Sequence, residues 1–160
     1  MVEPVVVKVP DFQVVGFSFS TNLKEFVDHQ LGQKAYQELL SRAGEMPDKV
    51  GNEVYLIQVY PTKPGFNAMV DVFTQIIGYK VSNEARVPSG MMKHEVPANE
   101  YAKYTHKGLE SELVGTYDYL YGKWLPQSGR QFAGYDFEIW DDRYKPESPE
   151  NEIDVHVAVK

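Results

Sequence analysis

The sequence predicts an α+β fold: a pseudo-two-fold tandem repeat of strand-helix-strand-strand modules with a seam at their junction. Three observations carry this expectation. Short segments recur in the same order, each half has one amphipathic stretch long enough for a helix, and the other apolar segments alternate with period two. The recurrences are "KVPDFQVVGF" at 8–17 with "EVPANEYAKY" at 95–104, "EVYLIQVYP" at 53–61 with "EIWDDRYKP" at 138–146, and "VDVFT" at 70–74 with "IDVHV" at 153–157. Each match is weak alone, but three in one order at nearly constant spacing point to an internal duplication. The 160 residues are then one domain, 1–160, with module one at about 1–84 and module two at about 85–160.

Taken in order, alternation and β-branched content place strands at about 4–19, 53–60, 69–81, 92–106, 136–144 and 152–159. Pro10 and Pro97 mark bends or edges in the first strand of each module. In the first half, "STNLKEFVDHQLGQKAYQELLSRAG" spaces Phe26, Val27, Leu31, Ala35, Leu39 and Leu40 as a helix. Ser20, Thr21 or Asn22 can cap it and Gly44 can close it. In the second half, "SELVGTYDYLYGKWLPQSG" puts Leu113, Tyr117, Leu120 and Trp124 on one face, with Pro126 and Gly129 as its stop. "PTKPGF" at 61–66 and "KPESPEN" at 145–151 are turns. One helix per half covers only part of a sheet, so the halves should associate and leave a seam, a common place for ligands.

Composition narrows the function. The chain carries 11 Tyr, 8 Phe and 2 Trp, side chains that suit an aromatic core or the wall of a binding cavity. Its net charge is −7 and its basic residues form no cluster, which argues against direct nucleic-acid binding. Cysteine is absent, which excludes disulfides and thiol catalysis. The start "MVEPVVVKVP" reads as neither a signal peptide nor a membrane span, so the expected setting is the cytoplasm. His29, His94, His106 and His156 have no metal-ligand spacing, and neither metal nor cofactor is expected. His106 reads as a structural strand-end residue. Asp141 and Asp142 beside Arg143 read as a locally paired strand end.

The segment "DFEIWDDRY" holds the sharpest feature. Residues two apart share a strand face, so Glu138 and Trp140 project together while Phe137 and Ile139 project oppositely. A carboxylate among rings pays for desolvation, which raises its pKa until a partner arrives. An organic cation at ~4 Å gains roughly 4 kcal/mol of gross Coulomb attraction at an effective dielectric of about 20. The bland alternative is that Glu138 pairs with a nearby Lys, Arg or Tyr and anchors the strand.

"VPANEYAKYTHKG", "TYDYLYGKWLPQSG", "DFEIWDDRY" and the terminal "EIDVHVAVK" together resemble the GyrI-like small-molecule-binding family, the effector-binding domain of AraC-type and multidrug-responsive transcription regulators. The resemblance covers nearly the whole chain and is strongest from about 95 to 160. It implies paired modules with a ligand cleft in which Glu138 meets cationic or polar groups of lipophilic molecules. It also implies walls from Trp140, Trp124, Tyr117 and Tyr121, with Phe66 over the opening. The expected role is a stand-alone binder of amphipathic, polycyclic or cationic molecules, acting as sensor, sequestering protein or carrier. No helix-turn-helix segment is expected, because the repeat consumes all 160 residues. Two alternatives follow from the same resemblance. One is a hydrolase opening strained cyclopropane-containing compounds, with Glu138 as base and Tyr101, Tyr117 or Tyr121 polarising the substrate. The other is an inhibitor or protector that contacts a topoisomerase.

Overall fold

The computed structural model describes residues 3–160. The first two residues of "MVEPVVVKVP", and the parts of module one that fall on them, lie outside the described residues. Eight strands form one antiparallel sheet: β1 Val5–Val9, β2 Phe12–Thr21, β3 Lys49–Val59, β4 Phe73–Val81, β5 Met92–Val96, β6 Asn99–Lys107, β7 Phe132–Trp140 and β8 Glu152–Val159. Their hydrogen-bonded order is β1-β6-β8-β7-β3-β4-β2-β5, so β3 and β7 meet at the centre. The helical segments are α1 Leu23–Asp28, α2 Leu31–Ser41, α3 Leu113–Tyr119 and α4 Leu125–Ser128.

The two edges of that order are joined through the chain. β1 leads into β2 past Pro10, and β5 leads into β6 past Pro97. Val9 faces Asn99, and Phe12, three residues further on, faces Val96 without a slip in register. A missing N–H at each proline interrupts the ladder but not its alignment. The sheet therefore curls so that the β1–β2 segment runs along the β5–β6 segment, β1 against β6 and β2 against β5. Gly16 and Gly78 lie opposite one another in the β2·β4 ladder, where a Cβ on Gly16 would sit 1.9 Å from the Ile77 carbonyl oxygen. Only glycine permits that approach.

The two faces have different cores. Val15, Leu56, Ile77, Trp140 and Val155 line one face, and Ala35 and Leu39 of α2 and Leu120 beyond α3 pack onto it. Phe12, Val14, Ile57, Tyr101, Phe137 and Ala158 fill the other. Period-two alternation sorts the strands into these two sets.

Several boundaries differ from expectation. The first and fourth predicted strands are each two strands, broken at the prolines. Residues 69–72 belong to a turn, so "VDVFT" straddles the entrance to β4 while "IDVHV" lies inside β8. The first helical stretch is two helices, because Gln30 between them takes a left-handed conformation at φ 51°. Asn22 caps α1, accepting from the Glu25 N–H at 2.8 Å. Pro126 does not stop the second helical stretch but sits inside α4; Gly129, at φ 76°, ends it. Before α4, Leu120–Trp124 form a wide turn in which the Leu125 N–H reaches back to the Leu120 carbonyl. Pro126 has no N–H to donate to Gly122, and its ring would crowd that carbonyl in a regular helix. Widening the turn relieves the conflict.

Candidate functional site

The site is built on the helix-covered face where β3 and β7 meet. Leu56 of β3 faces Glu138 of β7, and Gln58 faces Asp136. Asp136 and Glu138 are two apart on one strand, so both carboxylates rise from the same face. They are 0% and 3% exposed. The sequence reading passed over Asp136, although the "DFE" spacing carried the signal: an acid two residues before Glu138 must share its direction.

Neutral donors surround both acids. Glu138 accepts from the Tyr117 hydroxyl at 2.5 Å and from the Trp140 indole N–H at 3.0 Å. Asp136 accepts from the Gln58 amide at 2.7 Å, from the Tyr60 hydroxyl at 3.0 Å and from the Tyr121 hydroxyl. Among the described residues, neither acid has a Lys, Arg or His partner; Arg143, further along the chain, is committed to Asp141 and Asp154. Burial pushes the Glu138 carboxyl up to about 7, opposed by the bonds from Tyr117 and Trp140 and reinforced by Asp136. Burial likewise pushes Asp136 up to about 6, opposed by Tyr121, Gln58 and Tyr60. Burial and the adjacent acids hold Tyr60, Tyr117 and Tyr121 well above the ordinary phenol value, so they remain donors.

Aromatic rings close the enclosure. Tyr117 and Tyr121, one helical turn apart, stack at 6.2 Å with both hydroxyls aimed at the acids. At one end Trp140 stacks on Tyr144 at 4.5 Å, and Tyr36 of α2 meets both edge-on. Gln33 of α2 donates to the Tyr144 hydroxyl at 2.7 Å, and Tyr144 donates to Glu110 at 2.6 Å, which ties the helical layers of the two halves together. At the other end Tyr60 stacks on Phe73 at 4.9 Å and meets Phe66 and Phe132. A shallow hollow of about 220 Å3 opens here, lined by Tyr60, Phe73 and Val72, beside exposed Met69 and Val70. A second hollow, about 660 Å3, lies on the flank between β6 and α3. Neither is lined by Glu138, whose carboxylate lies beneath Tyr117.

The structure therefore brings Glu138, Trp140, Tyr117 and Tyr121 together. Phe66 stands one ring away from Asp136, behind Tyr60. Trp124 is half-buried against the same core without a hydrogen bond to either acid. Tyr101 is a correction: it is fully buried on the opposite face, against Phe137 and His156, and its hydroxyl pairs with that of Tyr135 at 2.8 Å. Ala102 and Tyr104 take the helix-covered face of β6, so alternation sends Tyr101 the other way. His106 bonds Thr116 and the Leu109 carbonyl as a structural residue would. Gln58, Tyr60, Tyr36 and Tyr144 complete the site and were missed, because only the β3·β7 pairing and the helix placement bring them to it.

Fold and site together define an α+β domain of the small-molecule-binding class. The chain belongs to the GyrI-like family, the GyrI-like small molecule binding domain, which matches residues 2–160. It is 33% identical over 89 residues to the transcriptional regulator BrlR of Pseudomonas aeruginosa, a match covering 54% of this chain and 33% of that one. The chain thus spans about a third of the curated relative it matches. Its fold is similar to the EcmrR C-terminal domain, with a TM-score of 0.73, 15% identity and 100% and 99% of the two chains covered. It is also similar to SAV2435 bound to tetraphenylphosphonium, at a TM-score of 0.71, 13% identity and 99% and 94% coverage. A hydrolase from Listeria innocua shares the fold at a TM-score of 0.55, with 13% identity and 99% and 92% coverage. No helix among the described residues is long and apolar enough to cross a membrane.

Proposed function

We propose that this chain binds an amphipathic, polycyclic organic cation in the aromatic enclosure over Glu138 and Asp136, and serves as a sensor, sequestering protein or carrier. One observation carries the reading: two adjacent buried carboxylates have only neutral hydrogen-bond donors among the described residues. Acids without a basic partner are rare in interiors unless something else neutralises them. An organic cation does so while its rings bury apolar surface and meet the tyrosine faces. The match of tetraphenylphosphonium to a protein of the same fold is in keeping with this. The mirrored strand orders β6-β8-β7 and β2-β4-β3 support the tandem arrangement, in which the seam between modules is the ligand cleft and 1–160 is one domain.

Because both acids are covered, entry requires Tyr117 and Tyr121 to move, or the 61–72 turn beside the Tyr60–Phe73 hollow to lift. Titrating tetraphenylphosphonium while following Trp124 and Trp140 emission tests the reading. Saturable change at micromolar concentration, weakened at least tenfold in Glu138→Gln, is the expected result. No change with any lipophilic cation would remove it.

A hydrolase is the second reading, and the observation favouring it is the Glu138 carboxyl near 7 in contact with Tyr117. A general base works best near the ambient pH, and a phenol can polarise a leaving group. Release of product from a strained electrophile, abolished by Glu138→Gln, would establish turnover; binding without product would exclude it.

A further inference from the structure

The central strands carry a polar row that a sheet core does not need. Gln75 of β4 faces Gln58 of β3, which faces Asp136 of β7. All three are buried, at 0%, 4% and 0% exposure. The Gln75 amide donates to the Gln58 carbonyl oxygen at 3.3 Å, and the Gln58 amide donates onward to Asp136 at 2.7 Å and to the Tyr117 hydroxyl at 3.2 Å. The row thus runs from module one directly into the pair of acids.

Its unused capacity is all of one kind. Among the described residues, the Gln75 side-chain oxygen is buried and has no hydrogen-bond partner. Two carboxylates offer about four acceptor positions each, and the described donors fill only part of them. Orphaned buried acceptors are rare in folded proteins and call for an explanation. Here the unfilled acceptors belong to one hydrogen-bonded row that begins at Gln75 and ends at Asp136.

We infer that the cation bound over Asp136 and Glu138 carries its charge on N–H groups, as protonated amines, amidines and guanidines do, and that the Gln75–Gln58–Asp136 row selects such cations over quaternary ones. This rests on the reading that the enclosure binds an organic cation, and it names the class. The two acids stand on the order of 7 Å apart along β7, within reach of a forked, planar donor set. A purely aromatic box works differently. It is indifferent to N–H groups and favours the less hydrated, methylated cation. The two kinds of site therefore rank a matched pair of ligands in opposite order.

The test uses the full chain and two probes with one aromatic body, a naphthylmethylammonium ion and its N-trimethylated counterpart, titrated against tryptophan emission. The primary ammonium is expected to bind at least about tenfold tighter. Gln75→Leu, which removes the orphaned oxygen at similar volume, is expected to shrink that preference at least about threefold. Equal or reversed ranking in the unaltered protein overturns the inference and needs no variant, so a misfolded Gln75→Leu does not shelter it. Tetraphenylphosphonium binding with that reversed ranking would leave the broader cation reading standing and this one refuted. Failure of all three probes would end both.

Discussion

Glu138 and Asp136 make the protein's free energy depend on pH in a direction opposite to that of ordinary surface acids. Burial raises Glu138 from 4.5 to about 7, so the folded protein holds that proton more tightly than the unfolded chain does. The resulting stabilisation is complete below about pH 4.5 and is lost as pH rises through about 7. At roughly 1.4 kcal/mol per tenfold change in proton affinity, the contribution is on the order of 3 kcal/mol. Urea unfolding of the ligand-free protein at a series of pH values should show stability falling across this window, and Glu138→Gln should flatten the slope. An unchanged slope would place the titrating group elsewhere. Cation binding has the reverse dependence, because the ligand favours the ionised acids. Tetraphenylphosphonium affinity should rise about tenfold or more between pH 5 and pH 8, with protons released on binding. Calorimetry in buffers of different ionisation enthalpy measures that release directly.

Two joints in the helical layer matter at the scale of elements. Gln30 links α1 to α2 in a left-handed conformation, with no side-chain cap on the α2 end. A non-glycine residue there is strained by about 1–2 kcal/mol. Gln30→Gly should therefore stabilise the protein by roughly 0.5–1 kcal/mol in chemical denaturation, since glycine recovers the strain but loses more entropy on folding. A loss of stability would mean the Gln30 side chain contributes more than its backbone costs. The second joint is the wide turn at Leu120–Trp124 ahead of Pro126. It lies directly after the helix that aims Tyr117 and, through its own Tyr121, supplies a donor to Asp136. Pro126→Ala restores the missing N–H and removes the reason for widening. The expected result is a regular helix that turns Tyr121 and Trp124 away from their present directions, read as a shifted Trp124 emission and weaker cation binding. Binding and emission like the unaltered protein's would show that the tyrosines, not the proline, hold the turn.

The whole molecule depends on how tightly the sheet curls. Gly16 and Gly78 allow β2 and β4 to close on each other, and a Cβ on Gly78 would fall 2.2 Å from the Val15 carbonyl oxygen. That atom is backbone in a fully paired ladder and has little freedom to yield. Gly78→Ala should cost about 3 kcal/mol or more, or prevent folding, as followed by circular dichroism and thermal unfolding. A substitution tolerated within about 1 kcal/mol would show that the ladder can relax there.

The residues of β7 state most clearly what could be read in advance. Strand alternation alone put Glu138 and Trp140 on one face and Phe137 on the other, because side-chain direction is a local property of extended backbone. The same rule, applied to Asp136, would have given the second acid. The amphipathic stretches gave both helical regions, and the two prolines marked bends where the structure breaks the long strands in two, because these too are local. Local rules did not reach Gln58, Gln75 and Tyr60, which meet Asp136 only through the pairing of β4, β3 and β7. Nor did they exclude Tyr101, which packs in the opposite core, since alternation within β6 does not say which face the helices will cover. Sequence by itself determined the mixed α+β class and the shared direction of Glu138 and Trp140 on their strand. The tertiary structure decided which acids share one enclosure, which tyrosines donate to them and that both lie covered, because contacts between distant segments are set by the packing of the curled sheet.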